Sequence, residues 1–427
     1  MRLLTEVTNQ NIKIINVQNM YGTRSDFLIQ NSNTHSHINI NIDGSKLLAL
    51  PGLIDPHVHF RVPGMEYKED WITGAQAAFH GGYTTVFDMP NTKPATVTYE
   101  RLQNKIALID AQIKESKCNL KYKLFFGADK NNFQEISKVY DKIVGIKVFM
   151  GASTGDLLMD DVSSLHSIYA LAKFFNLPIA LHAEDEATIK HNTEIFNAKV
   201  NLEPNLATDF KYHSVIRSVD AAVKAVNLVI ELSRLYQVKS YILHVSTSAE
   251  IELIAKAKAD GVPIFAETCA HYLFLDDTAY ARLYGLAKMN PPLHSLQDRD
   301  ELWNALNSGI IDTIASDHAP HTLEEKEQPL CKCPSGIPGI ETTLPLLLTA
   351  YKAGKITLNR IVQLTHDMPK YIFNIPDNDD VVFVNIEDYN LLDNMDLYTK
   401  VKWSPYSGMY LTGFTKYVKS NNVLYEM

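Results

Sequence analysis

The chain has 427 residues, 46% of them hydrophobic and 21% charged, with a formal net charge of −9. That balance fits a globular protein, and an acidic excess without a basic stripe argues against a nucleic-acid partner. No apolar run is long enough for a membrane span or a signal peptide, and four cysteines (Cys118, Cys269, Cys331, Cys333) do not make a disulfide framework. A cytoplasmic protein with free thiols and no membrane partner is expected.

Residues 1–47 show alternating strand patterns such as "IKIINVQ" and "HININ", with turn signals and little helix. From 48 onward, short β-rich runs alternate with longer stretches of helical apolar spacing. The runs are 48–60, 84–90, 121–128, 144–150, 177–184, 241–246, 263–273 and 312–320. Most are continuously apolar, as parallel strands covered on both faces must be. Between them lie helix candidates such as "SVDAAVKAVNLVIELSRLY" and "SAEIELIAKAKADG", each opening on a serine cap with an acid in the first turn. Eight such pairs predict an α/β fold, a (β/α)8 TIM barrel over 48–375. No glycine-rich phosphate fingerprint follows the first strand, which disfavours a doubly wound sheet. Residues 376–427 return to strand patterns and are expected to join 1–47 in a small β-sandwich-like domain.

"DPHVHF" (55–60) ends the first run. In a strand, residues i and i+2 share a face, so His57 and His59 project side by side. Alone they read equally as a polar strand end. Lys147 in the fourth run, His182 in the fifth, His244 in the sixth and Asp317 in the eighth sit within apolar neighbours at corresponding heights. The C-terminal strand ends are where a barrel places its chemistry. Buried Lys and Asp are rare unless paired or bound to metal. Imidazoles and carboxylates suit zinc or a similar divalent ion. Lys147 is the odd member, because an ammonium repels cations. Burial among cations drives its pKa down, and the neutral amine can add CO2 to give an anionic carbamate. Such a group can bridge two metals at the usual binuclear spacing of roughly 3.5–4 Å. The plainer alternative is a Lys147–Asp317 ion pair in a metal-poor site.

The stretch Pro51–His59, Lys147, "LHAE", "LHVS" and "SDHAPH" resembles the amidohydrolase superfamily, and within it the cyclic amidases. Phe60-Arg61 after the two histidines, "DMPNTKPAT" (88–96), "KMNPPLH" (288–294) and "SDHAPHTLEEK" (316–326) narrow the resemblance to the dihydroorotases. Two positions depart from that pattern. Lys147 stands where many of the longer dihydroorotases carry Asp, and His294 where the family usually shows Arg.

The resemblance implies reversible hydrolysis of dihydroorotate to N-carbamoyl-L-aspartate in pyrimidine synthesis. It implies two divalent ions, zinc by preference, held by His57, His59, His182, His244, Asp317 and a carbamate on Lys147. One ion polarises the carbonyl, a bridging hydroxide attacks, and Asp317 moves the proton to the departing ring nitrogen; its bland reading is a ligand only. Arg61 would clamp the substrate carboxylate with Asn91 and His321, while Asn290 and the Ser335–Gly336 backbone hold the ring amides. Arg61 otherwise reads as a surface salt bridge to Glu66 or Asp70, and Asn91 as a turn residue. Glu267 and His271 are read as core or supporting residues, outside the site. The polar segment 322–335 reads either as a mobile lid or as a long surface loop.

Competing functions are another cyclic amidase (allantoinase or hydantoinase) and an inactive scaffold for aspartate carbamoyltransferase. A homodimer and association with that transferase are the partner expectations.

Overall fold

A computed structural model describes residues 1–4, 11–30, 39–152 and 157–427. Eight parallel strands form its centre: β6 (Leu53–Val58), β7 (Tyr83–Asp88), β8 (Lys121–Gly127), β9 (Gly145–Phe149), β10 (Ile179–His182), β11 (Ser240–Ile242), β12 (Ile264–Cys269) and β13 (Thr313–Ala315). They pair in sequence order, each with the next. Between β13 and β6 the ring is drawn together by a parallel bridge, Val58 to His318, and by the His59 amide donating to the His318 carbonyl at 2.8 Å. The barrel is thus nearly closed, as the alternation of strand and helix predicted.

Helices wrap the outside because their apolar residues fall on one face and their ends are capped. Asp70 caps Trp71–His80 by accepting from the Ile72 and Thr73 amides. Thr247, not the expected Ser248, caps Ser248–Ala259 in a reciprocal box with Glu250. Ser218 holds the cap position of Val219–Tyr236 but makes no side-chain cap bond.

The run 48–60 is not one strand. It divides at Gly52 into β5 (Leu47–Pro51), which pairs antiparallel with β14 (Val381–Leu391), and β6, which opens the barrel. A Cβ at Gly52 would lie 2.3 Å from Thr84 Oγ1 and 2.7 Å from Asp380 Cβ, so only glycine lets the two sheets approach here. The remaining strands are β1 (Arg2–Leu3), β2 (Asn11–Asn19), β3 (Arg24–Ile29), β4 (Asn39–Asp43), β15 (Tyr410–Ser420) and β16 (Val423–Glu426). They join in the order β1-β16-β15-β14-β5-β2-β3, with β4 on β2. This is one curled sheet where two facing layers were expected, because strands from the two termini continue a single ladder.

The barrel interior is filled from below. Phe373, at the end of helix Met368–Phe373, meets Phe87, Phe125 and Tyr241 edge-on at centroid distances of 5.1, 5.7 and 5.0 Å. Burying each ring stabilises by about 1.5–3 kcal/mol. That apolar floor leaves the C-terminal strand ends as the open end, where the polar residues gather.

Candidate active site

His57, His59, Arg61, Asn91, Lys147, His182, His244, Asn290, Asp317, Ser335 and Gly336 line one cavity. Each side chain arrives from a strand end or the loop just beyond it. His321 does not line the cavity. It stands behind Arg61, with Nε2 3.1 Å from Arg61 Nη2 and 3.1 Å from the Ser335 carbonyl, and Nδ1 2.9 Å from Lys68 Nζ. His294 is buried and also lies outside the lining.

The imidazole tautomers follow from their partners. His57 Nδ1 faces Glu267 Oε1 at 2.8 Å and His59 Nδ1 faces Asn91 Oδ1 at 2.7 Å, so both Nδ1 atoms donate. Each Nε2 then offers a lone pair. These sit 3.3 and 3.2 Å from Asp317 Oδ1, so three acceptors converge on one point with no hydrogen between them. Such a cluster fits a cation. Deeper in the cavity, His182 Nδ1 lies 2.9 Å from His244 Nε2, while His182 Nε2 faces Glu184 Oε2 at 2.8 Å. Arg217 donates to the same Glu184 carboxylate and to the Ala152 carbonyl. Lys147 Nζ is buried without a hydrogen-bond partner among the described residues, 4.5 Å from the Phe149 ring centroid.

Electrostatics agree with that geometry. Burial pushes His57 down to about 3 and His59 to about 4, which keeps both imidazoles neutral. Burial also brings Lys147 down to about 7, far below an ordinary lysine, although Glu267 and Asp317 oppose the shift. An orphaned amine of low basicity beside converging lone pairs fits the residue set of a metal centre with a modified lysine. The proposed Lys147–Asp317 ion pair is absent among the described residues.

Three residues here hold left-handed backbone: Arg61 (φ 65°), His244 (φ 41°) and Asp317 (φ 43°). Non-glycine residues pay about 1–3 kcal/mol for such strain, and it clusters at functional sites. The Arg61 guanidinium is 2% exposed and touches neither Glu66 nor Asp70. Asp70 instead caps its helix and pairs with Lys400, so the surface salt bridge is excluded. Burial lowers Arg61 to about 10, leaving it charged. Among the described residues, its nitrogens have no carboxylate oxygen within salt-bridge distance. Asn290 Oδ1 is likewise buried without a partner.

The segment 322–335 is no loose lid. Lys326, from the short helix Leu323–Lys326, donates to the carbonyls of Lys288, Pro334 and Gly336 at 2.9 Å each. Lys288 reaches the carbonyls of Leu330 and Cys333, and Trp403 donates to the His321 carbonyl at 2.8 Å. Cys333 is buried inside this turn and Cys331 is exposed; both are free thiols. Glu267, Glu184, Arg217 and Lys326 escaped the sequence reading as parts of the site. Glu267 and Glu184 carried one signal, an acid inside an apolar strand region. Arg217 and Lys326 carried none.

A sequence model of the amidohydrolase family matches residues 48–366, and the chain belongs to that family. A dihydroorotase from Methanosphaera stadtmanae is 37% identical over 369 residues, 84% of this chain and 81% of that protein. The multifunctional protein CAD of Squalus acanthias is 32% identical over 381 residues, 88% of this chain but 15% of that much longer protein. Among solved structures, the L-hydantoinase (dihydropyrimidinase) of Arthrobacter aurescens superimposes with a TM-score of 0.86 at 25% identity, covering 95% of this chain and 94% of its own.

Proposed function

We propose that this protein hydrolyses (S)-dihydroorotate reversibly to N-carbamoyl-L-aspartate, a step of pyrimidine biosynthesis, in the cytoplasm. The observation that carries the substrate is Arg61: a buried guanidinium at the cavity with, among the described residues, no carboxylate oxygen within salt-bridge distance. A charge in that position demands an anionic ligand, and a planar carboxylate fills the fork. Hydantoin and allantoin rings bring no carboxylate, so Arg61 weighs against those cyclic imides even though hydantoinase structures share the fold.

The proposed cofactors are two divalent ions, zinc by preference, with His57, His59 and Asp317 toward one and His182 and His244 toward the other. Lys147, carboxylated by CO2, would add an anionic oxygen donor to that set. Ions bound there supply electrophilic polarisation of the ring amide and an activated water at neutral pH. The chain's own groups do the rest. Arg61 fixes the substrate carboxylate, with Asn91 between it and His59. Asn290 Oδ1 and the Ser335–Gly336 backbone are assigned to the ring N–H and C=O groups. Asp317, an ionised carboxylate facing the cavity, takes a proton from the attacking water and returns it to the departing ring nitrogen. His321 supports Arg61 from behind.

We take residues 48–375 as the catalytic domain and 1–47 with 376–427 as the small β-domain. Two chains are proposed to form a homodimer. The match to a segment of the CAD protein supports association with aspartate carbamoyltransferase. Among the described residues no helix is long and apolar enough to cross a membrane. The test is turnover of carbamoyl-aspartate against allantoin and hydantoin, with metal analysis of the same preparation. Turnover of the first alone is expected; preference for an uncharged ring overturns the substrate, and a metal-free, inactive chain favours the scaffold.

A further inference from the structure

Glu267 lies in β12, fully enclosed, and takes no part in the chemistry above. Its Oε1 receives two hydrogens at once, from His57 Nδ1 at 2.8 Å and from the His244 backbone amide at 3.2 Å. Its Oε2 accepts from the Tyr241 hydroxyl at 2.8 Å, which in turn lies 2.6 Å from Thr313 Oγ1. One carboxylate therefore ties the first, sixth and eighth barrel strands to the seventh. His57 and His244 belong to different halves of the candidate centre, so a single oxygen orients both. The His244 amide belongs to left-handed backbone, and a buried acceptor is what that strained amide needs.

We infer that Glu267 is a positioning residue that sets both halves of the metal centre. It holds His57 in the tautomer that leaves Nε2 open toward Asp317. It also anchors the backbone turn that aims His244 Nε2 at His182. Three hydrogens directed at one side chain use the acceptor capacity of a carboxylate, against the burial that raises the group to about 8, and a carboxylate behind a ligating imidazole raises that ligand's basicity. A purely structural glutamate would instead be replaceable by its amide, which has the same shape and an oxygen for the same donors.

The inference rests on the metal reading of the site, and zinc binding separates the two. Zinc dissociation constants are to be measured by chelator competition on the full-length chain, for wild type, Glu267→Gln and Tyr241→Phe. Unfolding midpoints of the metal-free proteins are recorded alongside. The expected result is zinc binding weakened roughly 10–100-fold in Glu267→Gln, by less in Tyr241→Phe, with the metal-free midpoints little changed. Zinc held by Glu267→Gln as tightly as by wild type overturns the positioning role alone. A wild-type chain that binds no zinc overturns the metal reading and the inference together.

Discussion

Lys326 donates its buried ammonium to the Gly336 carbonyl at 2.9 Å, one of three carbonyls it caps in the loop that walls the cavity. No carboxylate shares this cage, and burial pulls the lysine down to about 7. Lys326→Met removes all three bonds while preserving most of the packing. The expected cost is about 1–3 kcal/mol of stability for the stranded carbonyls. KM should rise about tenfold with kcat within about threefold, because the proposed role of Ser335 and Gly336 is to bind substrate and not to move a proton. Urea unfolding and steady-state kinetics read both. An unchanged KM means the loop backbone does not touch substrate.

Asp88 and Lys105 form a fully buried ion pair beneath the site, and Asp88 also accepts the Phe60 amide at 2.8 Å. Lys105→Met leaves that carboxylate uncompensated and should destabilise by about 3–5 kcal/mol. Asp88→Asn combined with Lys105→Met should recover part of the loss, which denaturant titration of both variants and the wild type measures. Equal instability of the single and double variants would show that the pair's charge is not the cause.

Lys147→Ala is expected to lose activity and most bound metal, since the amine is buried, unpartnered and central to the cluster. Added short carboxylic acids should restore part of the turnover by occupying the carbamate's place. Full metal content with normal activity in the variant would remove any bridging role.

The site was legible where residues break the burial rule. His57, Lys147 and His182 are polar groups inside apolar strands, His59, His244 and Asp317 follow one or two residues after such strands, and a barrel puts these ends in one place. Their pairings were not legible. Glu267 reads as core or supporting, but it and His57 are 210 positions apart, and Arg217 reaches Glu184 across 33 positions that include the helix Glu186–Leu202, so no local pattern names the partner. The loop 322–335 reads as solvated because it is charged. Its lysine is nevertheless buried by backbone carbonyls, which every residue carries and no sequence displays. The split at Gly52 was missed for a similar reason, since two sheets meeting at one glycine leave the apolar run unbroken.

Asp317→Asn should keep the fold and much of the metal, yet lower kcat by several orders of magnitude, because an amide cannot carry the proton. Metal analysis and pre-steady-state rates on the same sample check both halves. A loss in kcat below about tenfold would make Asp317 a ligand only and place the base elsewhere.

Arg61 decides the substrate. Its guanidinium is buried at the cavity wall and, among the described residues, hydrogen-bonds only to the Pro320 carbonyl and His321, which motivates the proposed anionic ligand. Arg61→Met should cost about 2–5 kcal/mol in kcat/KM for dihydroorotate, since its carboxylate would be buried without a charged partner. For an uncharged cyclic imide the same change should be neutral or favourable, because an unpaired buried charge no longer opposes binding. Metal content should stay at the wild-type level, as Arg61 approaches none of the convergent lone pairs. The informative quantity is the ratio of the two kcat/KM values, in which general damage to the site cancels. A ratio that stays fixed when Arg61 is replaced means the carboxylate is held elsewhere, and the assignment of dihydroorotate then rests on similarity to relatives rather than on this site's charge.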